Sequence, residues 1–196
     1  MIDDALLEAA KNYARERLSA KRYAHTLRVA DTAERLAETH GIDPKKARLA
    51  GLLHDAAREV GKGELLRAAE EDGLVVGEFE RERPILLHGP VAAQFARRDL
   101  GVKDGEILAA VRTHTTGEPE MGPLALTLFV ADKIEPEREG PGVEDLRELA
   151  RKDLSRSAHA ALQGSLSHNE ERGCPAHPKS LETLRWLEDS GEGGVV

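Results

Sequence analysis

Six histidine and aspartate residues stand at positions that a helical pattern assigns to the interior of the protein. They are His25, His54, Asp55, His88, His114 and Asp132. His25 precedes Val29 and Ala33 by four and eight residues, a spacing that places the three side chains on one helix face. The other histidines and Asp132 stand in the same relation to small or apolar residues of their own helices, and Asp55 adjoins His54. Imidazole and carboxylate groups gathered in an interior predict a metal site.

An inward carboxylate needs a compensating cation, because burying an unpaired charge costs on the order of several kcal/mol. Asp55 and Asp132 are both of this kind, and the neutral imidazoles expected beside them favour a metal ion as the cation. A single inward histidine is more often an ordinary core residue, and the adjacent His54-Asp55 pair is weak by itself. The recurrence in five predicted helices favours a metal centre. Mixed nitrogen and oxygen ligands suit iron, manganese or zinc better than magnesium.

The elements that position these residues are predicted to be helices throughout. Apolar residues recur every three or four positions, and no alternating segments of Val, Ile or Thr predict a sheet. Asp43 and Pro44 mark one helix start, while Gly41 and Gly117 mark helix ends. The predicted helices cover about residues 3–18, 20–40, 44–60, 64–71, 88–100, 104–114, 123–132, 143–162 and 177–189, and residues 136–142 form a loop.

Length and composition are those of one globular domain. The 196 residues are 40% hydrophobic and 33% charged, which predicts a single domain over residues 1–190 and a disordered tail over 191–196. The net charge of −8 and the aromatic content of 3% argue against nucleic-acid binding. No apolar run approaches the ~20 residues of a membrane span, and the acidic N-terminus is unlike a signal peptide. We therefore expect a cytoplasmic protein; its oligomeric state stays open, a homodimer included.

The remaining histidines and the single cysteine are expected to bind no metal. His40 falls at a predicted helix end, where a cationic side chain suits the helix dipole. The histidines of the polar C-terminal third are expected to face solvent; they are His159, His168 and His177. Cys174 has no second cysteine to pair with, so an internal disulfide and a cysteine-rich zinc site are excluded.

Five segments around the six residues resemble the HD superfamily of metal-dependent phosphohydrolases. They read RYAHTLRVA, GLLHD, LLHGPVAA, VRTHTTGEPEM and VADKIEPER. More closely, they are similar to the YqeK-type branch, the bacterial symmetrical diadenosine tetraphosphate hydrolases, and the resemblance extends over roughly residues 17–187. All six ligand positions match this branch in order and type. The resemblance implies an all-α, HD-domain helical bundle.

The resemblance also implies a di-iron centre in which Asp55 bridges the two ions. The first ion would be bound by His25, His54, Asp55 and Asp132, the second by Asp55, His88 and His114. Two positions depart from the family pattern. Arg58 stands where a lysine is frequent, and Lys133 stands where an aromatic or apolar residue is frequent. Neither departure removes a metal ligand, but both affect the wall against which a substrate would lie.

A dinuclear centre of this kind supports hydrolysis of a phosphoanhydride. A water molecule that bridges two metal ions becomes a hydroxide near neutral pH, and the ions neutralise charge on the phosphate oxygens. No Ser-His-Asp arrangement or reactive thiol argues for a side-chain nucleophile. Catalysis is assigned to His54, Asp55 and Arg58. The residues expected to contact substrate are Arg22, Arg58, Thr115, Thr116, Lys133 and Arg138, for which a solvated surface charge or an ordinary helix stop is the alternative.

Symmetrical hydrolysis of diadenosine tetraphosphate to two ADP is the function that the resemblance favours, with a small-molecule nucleotide as the partner. The first alternative is another HD-type reaction, such as dephosphorylation of nucleoside mono- or triphosphates, which a substrate panel would distinguish. The second is a non-catalytic nucleotide-binding module. The complete set of six inward ligands argues against the second, because a non-catalytic domain need not keep costly polar residues inside.

Overall fold

The computed structural model describes residues 2–192, and its regular structure in this range is helical. The helices are α1 (Asp4–Arg17), α2 (Ala20–Thr39), α3 (Pro44–Leu53), α4 (Lys62–Glu71), α5 (Glu78–Glu82), α6 (His88–Leu100), α7 (Gly105–Thr113), α8 (Pro123–Ile134), α9 (Val143–Ala150), α10 (Leu154–Glu171) and α11 (Pro178–Glu192), with a 3-10 helix at Pro84–Leu87. The prediction of an all-α fold is confirmed. None of the described helices has the length and apolarity that crossing a membrane requires.

Side-chain caps start several helices where the sequence predicts them. Asp43 accepts hydrogen bonds from the backbone N–H groups of Lys45 and Lys46, with Pro44 in the first turn of α3. Asp104 caps α7 in the same way. These bonds satisfy N–H groups that have no partner within the helix. The helix starts on either side of the predicted metal ligands therefore follow from local sequence.

Helix α3 ends at Leu53, and the prediction that it continues to Val60 is wrong. Residues 54–60 form successive tight turns, in which the N–H groups of Ala56, Arg58 and Val60 bond to the carbonyl three residues earlier. The His54 ring donates to the Gly51 carbonyl, which is the acceptor that the Asp55 N–H would use in a continuing α-helix. The side chain of a predicted ligand thus ends the helix that carries it.

The prediction of one helix over residues 143–162 is also wrong. Helix α9 ends at Ala150, and α10 begins at Leu154 and continues to Glu171. Asp153 separates the two, because its side chain accepts from the Arg156 N–H and so starts a new helix. At the C-terminus α11 is described to Glu192; residues 193–196, the rest of the predicted tail, lie outside the described residues.

Two glycines let helices approach at backbone distance beside the predicted ligands. A Cβ added to Gly51 in α3 would lie 2.5 Å from the Cα of Ala30 in α2. A Cβ added to Gly89 in α6 would lie 3.0 Å from the carbonyl oxygen of Arg112 in α7. No side chain larger than hydrogen fits at Gly51 without moving a backbone. The first contact brings the histidine of α2 towards the end of α3, and the second brings the start of α6 against the end of α7.

Helix α8 lies in the interior of the bundle. Ten of its residues are buried, among them Phe129 and Leu128, which are fully enclosed. Asp132 lies near its C-terminal end and is 6% exposed. The apolar body of α8 therefore fixes the position of a carboxylate that would otherwise be costly to bury.

Candidate metal centre

All six predicted metal ligands lie together in the interior. Their exposed fractions are 7% for His25, 0% for His54, 3% for Asp55, 5% for His88, 2% for His114 and 6% for Asp132. They come from α2, from the turn after α3, from the start of α6, from the end of α7 and from α8. Helices distant in sequence thus converge on one cluster, as the inward helical faces predict.

Asp55 lies at the middle of the cluster, and each of its oxygens faces a different pair of imidazoles. Its Oδ2 lies 3.3 Å from Nε2 of His54 and 3.8 Å from Nε2 of His25. Its Oδ1 lies 3.2 Å from Nε2 of His88 and 3.9 Å from Nε2 of His114. The carboxylate therefore separates two groups of donor atoms, and each group contains atoms close enough together to hold one ion.

Three of the imidazoles are oriented by the same kind of local hydrogen bond. Each follows the end of a helical segment and donates from Nδ1 to the backbone carbonyl three residues earlier. These bonds are 2.7 Å from His54 to Gly51, 2.6 Å from His88 to Ile85 and 2.7 Å from His114 to Val111. An Nδ1 that donates carries the ring proton, so Nε2 of each neutral ring has a lone pair available for a metal ion.

The donor atoms of the cluster fit divalent metal ions. Nε2 of His25 and Nε2 of His54 are buried and have no hydrogen-bond partner among residues 2–192. Nε2 of His88 and Nε2 of His114 are 3.0 Å apart, and the Thr115 hydroxyl, 3.3 and 3.2 Å from them, can donate to one of them at a time. Two lone pairs that face one another at this distance are stabilised by a cation between them, for which a proton or a divalent metal ion is suitable. The buried ligand groups indicate divalent metal binding.

The charges of the cluster favour added positive charge. Burial alone would raise the pKa of the Asp55 carboxyl, but the surrounding imidazoles hold it well below its usual range. Although burial opposes it, Asp55 in turn raises the pKa of His54. Burial and the neighbouring His88 and His54 rings lower the pKa of His114 to about 3, so this ring is neutral at physiological pH. Ionised carboxylates and a neutral imidazole are the forms that bind metal ions.

Three of the predicted substrate cations contact the ligand carboxylates from the rim. Arg22 Nη1 donates to Asp55 Oδ2 at 3.0 Å. Arg138 Nη2 donates to Asp132 Oδ1 at 2.8 Å and Lys133 Nζ donates to Asp132 Oδ2 at 2.6 Å. All three side chains are partly exposed. The structure thus brings three cationic groups to the cluster, where they contact both the solvent and the buried carboxylates.

The other predicted substrate residues are placed differently. Arg58 is half-buried, and its side chain has no hydrogen bond or ion pair with any residue in the range 2–192. Thr115 reaches the cluster through the hydroxyl contacts given above. Thr116 does not: its hydroxyl donates to the Gly117 carbonyl, its own carbonyl accepts from Ser180 of α11, and it lines a separate cavity of about 110 Å³.

Sequence reasoning missed a buried carboxylate beside His25. Glu135 is 2% exposed, and its Oε1 lies 3.0 Å from Nδ1 of His25. Arg28 Nε and the Glu137 N–H donate to its Oε2 at 2.6 and 2.9 Å. Burial opposes ionisation, but the hydrogen bond from Arg28 and the other donors lower the pKa of Glu135 to about 2. Its place three residues after Asp132 is the signal that could have found it.

Of the histidines expected to bind no metal, His177 is not solvated as predicted. Its side chain is 9% exposed, its Nε2 lies 2.9 Å from Oε1 of Glu80, and its ring packs against Phe79. This contact attaches the start of α11 to α5. His40 stands at the C-terminal end of α2 as predicted, with Nε2 2.7 Å from the Ala150 carbonyl.

Comparison with known proteins gives consistent matches over most of the chain. The HD-domain family profile matches residues 22–137. The symmetrical bis(5'-nucleosyl)-tetraphosphatase of Bacillus subtilis is 36% identical over 180 residues, which cover 92% of this chain and 96% of the relative. The protein of the same name from Staphylococcus aureus is 34% identical over 194 residues, covering 95% and 96%.

A solved structure has the same fold. It is described as a predicted HD superfamily hydrolase involved in NAD metabolism, from Clostridium acetobutylicum. It superposes with a TM-score of 0.90 at 33% identity and covers 93% of this chain and 97% of its own. The similarity therefore extends well beyond the segments that carry the six buried residues, to the helices before and after them.

Proposed function

This chain belongs to the HD-domain family, and we propose that it is a hydrolase that cleaves diadenosine tetraphosphate symmetrically into two ADP. Relatives that carry this activity in their names match it over nearly their whole length. The observation that carries the proposal is the position of Asp55, whose two oxygens face two separate pairs of imidazoles, with cations at the rim. We also propose that the protein acts in the cytoplasm and that residues 1–190 form a single domain.

Two divalent ions would be held by the six buried ligands, with iron as the first choice and manganese or zinc as alternatives. One ion would be bound by His25, His54, Asp132 and Asp55 Oδ2, the other by His88, His114 and Asp55 Oδ1. When bound, such ions supply positive charge to phosphate oxygens and lower the pKa of water. Among residues 2–192, the hydroxyl that contacts the cluster is that of Thr115, and the thiol of Cys174 is exposed.

The protein's own cations would bind and orient the phosphate chain. Arg22 contacts Asp55, while Lys133 and Arg138 contact Asp132. Once metal ions neutralise these carboxylates, the three cations become available to phosphate oxygens at the same rim. Because the protein has a net charge of −8, this local positive charge is what attracts a polyanion. Arg58, whose side chain is uncommitted within residues 2–192, would add a fourth cation.

A cleft beside the rim is large enough for one nucleoside of the substrate. Lys133 and Arg138 also line a cleft of about 810 Å³ between the 136–142 loop and α10. Leu146 and Ala161 contribute apolar surface to this cleft. Cavities of roughly 300–1,000 Å³ accept groups of nucleoside size. With the nucleosides directed outward, the middle of the phosphate chain would lie at the metal centre, which is the geometry for symmetrical cleavage.

The test is the identity of the first products. Purified protein with diadenosine tetraphosphate should give ADP as nearly the sole nucleotide at early times, as measured by chromatography. Equal amounts of ATP and AMP would refute symmetrical cleavage while leaving the metal centre intact, and preference for nucleoside mono- or triphosphates in a substrate panel would favour another HD-type reaction. Binding of the nucleotide without turnover by metal-loaded protein would favour the non-catalytic module.

A matched pair of arginine substitutions tests the role of the rim. Arg22→Gln should raise KM for diadenosine tetraphosphate more than about 10-fold, because it removes a charge beside the phosphates. Arg97→Gln is the control, since Arg97 is an exposed residue nine positions along α6 from His88, roughly 13 Å further on. Equal effects of the two substitutions would show only a loss of general attraction, contrary to the proposed contact.

A further inference from the structure

The four imidazoles of the cluster do not have equivalent partners at Nδ1. His54, His88 and His114 donate to backbone carbonyls. His25 alone, within residues 2–192, has a side-chain carboxylate there, that of Glu135 at 3.0 Å. A carboxylate holds the imidazole more strongly than a neutral carbonyl and increases the basicity of the opposite nitrogen. The subsite to which His25 belongs therefore differs from the other in a way that one side chain controls.

Glu135 is held rigidly in this role by donors on its far side. Its Oε2 accepts from Arg28 Nε at 2.6 Å and from the Glu137 N–H at 2.9 Å. The carboxylate is buried and cannot rotate without losing both bonds. Since Glu135 can only accept, Nδ1 of His25 must donate, which leaves the lone pair on Nε2. That atom lies 3.1 Å from Asp132 Oδ1 and is buried without a hydrogen-bond partner.

We propose that Glu135 is a positioning residue, which fixes the tautomer and orientation of His25 and thereby sets the metal affinity of the subsite formed with His54 and Asp132. The inference rests on the proposed dinuclear centre and adds that its two subsites depend differently on residues outside the ligand set. The subsite of His88 and His114 has no such dependence, because its rings are held by carbonyls that side-chain substitution cannot remove.

Glu135→Gln is a sharp test because the donors around the new amide favour one orientation. Arg28 Nε and the Glu137 N–H donate to Oε2 at 2.6 and 2.9 Å, whereas Arg28 Nη2 donates to Oε1 at 3.4 Å, so the two shorter bonds favour the amide oxygen in the place of Oε2. The amide NH2 then faces Nδ1 of His25 and favours the tautomer in which Nδ1 accepts. The ring proton moves to Nε2, where it can be donated to Asp132 Oδ1 and competes with a metal ion. The tautomer can be read from the imidazole ¹⁵N shifts of the metal-free protein.

The decisive measurement is Mn²⁺ binding to metal-free protein by equilibrium dialysis, with electron paramagnetic resonance to distinguish paired from single ions. Wild type should bind two ions. Glu135→Gln should bind one ion as wild type does and the second about 10–100-fold more weakly. Glu137→Gln is the matched control, because Glu137 is 71% exposed and contacts the same Arg28 at 2.9 Å; it should bind two ions. Glu135→Asp should recover part of the lost affinity.

The outcomes separate this inference from the proposed function. Two ions bound to Glu135→Gln with wild-type affinities, or an equal weakening of both, would overturn the positioning role while leaving the dinuclear centre standing. Fewer than two ions on wild type would overturn both proposals. If Glu135→Gln does not fold, as judged by circular dichroism, Glu135→Asp decides by the same criterion: unequal affinities support the inference and equal ones overturn it. Nucleotide turnover enters none of these measurements.

Discussion

Gly51→Ala should destabilise the protein, although alanine is ordinarily the better residue in a helix. The new Cβ would lie 2.5 Å from Cα, 3.0 Å from N and 3.1 Å from Cβ of Ala30. Two of these three atoms belong to the backbone, so a side-chain rotation cannot relieve the contact, and α2 and α3 must separate by roughly half an ångström or more. Overpacking of this kind costs about 1–3 kcal/mol, while replacing glycine in a helix gains up to about 1 kcal/mol.

The net expectation is a loss of up to about 2 kcal/mol in the free energy of unfolding, measured by urea denaturation of metal-free protein. Gly164→Ala is the control: Gly164 lies inside α10, a Cβ added there would meet nothing within 4 Å, and alanine should stabilise by about 0.5–1 kcal/mol. The same separation moves His25 relative to His54, so Mn²⁺ binding should weaken in Gly51→Ala alone. A stabilised Gly51→Ala with unchanged Mn²⁺ binding would refute the close helix contact as the element that positions the site.

Three further predictions concern the centre and one distant tyrosine. A chelator should abolish turnover and lower the melting temperature, and elemental analysis before treatment should give close to two metal ions per chain. A metal-free preparation that hydrolyses the substrate at the full rate would refute the proposed role of metal ions. Asp55→Ala should cost more activity than His88→Ala or His114→Ala, because its carboxylate faces both ligand groups; equal losses in folded variants would instead indicate a single-ion site. Burial and the hydrogen bond to Asp99 raise the pKa of Tyr13. The contribution of the neutral phenol to the free energy of unfolding is therefore fully present below about pH 10 and is lost at higher pH. The stability advantage of wild type over Tyr13→Phe should therefore shrink above about pH 10 in urea titrations, and a constant difference would contradict the shift.

The burial and clustering of the six candidate ligands could be predicted, because the spacing that places them inside is local and because burying their polar groups is costly. Helical spacing alone shows that His25 and Asp132 point inward, and an inward carboxylate demands a cation whatever the tertiary structure. The all-α class follows from the same spacing. Helix starts at Asp43 and Asp104 are equally predictable, since a capping side chain acts on N–H groups two or three residues away.

Features that depend on contacts between distant segments were not predictable in this way. Glu135 becomes a partner of His25 across 110 positions in sequence; its place three residues after Asp132 indicates that it lies near the cluster, but not which imidazole it contacts. His177 is enclosed because Glu80 meets it from α5, 97 positions earlier. Thr116 turns away from the cluster because the chain reverses at Gly117, whose φ is +71°, and docks on α11. The early end of α3 is the exception, a local event that a helical pattern does not show.

The use of main-chain carbonyls to orient three ligands has a consequence for how such a centre can change over evolution or be transplanted by design. Every residue brings a carbonyl, so Ile85 and Val111 could be exchanged for other residues of similar size without loss of the bond that aims the ring. A histidine placed directly after a helical segment can therefore be oriented by a backbone carbonyl of that same segment. Most of this centre is therefore specified by where helices stop. Tolerance to substitution should be low at the six candidate ligands and at Glu135, and higher at Ile85 and Val111, whose side chains take no part in the bond. Gly51 is the exception among the residues that supply these carbonyls, because its close contact with Ala30 excludes any side chain.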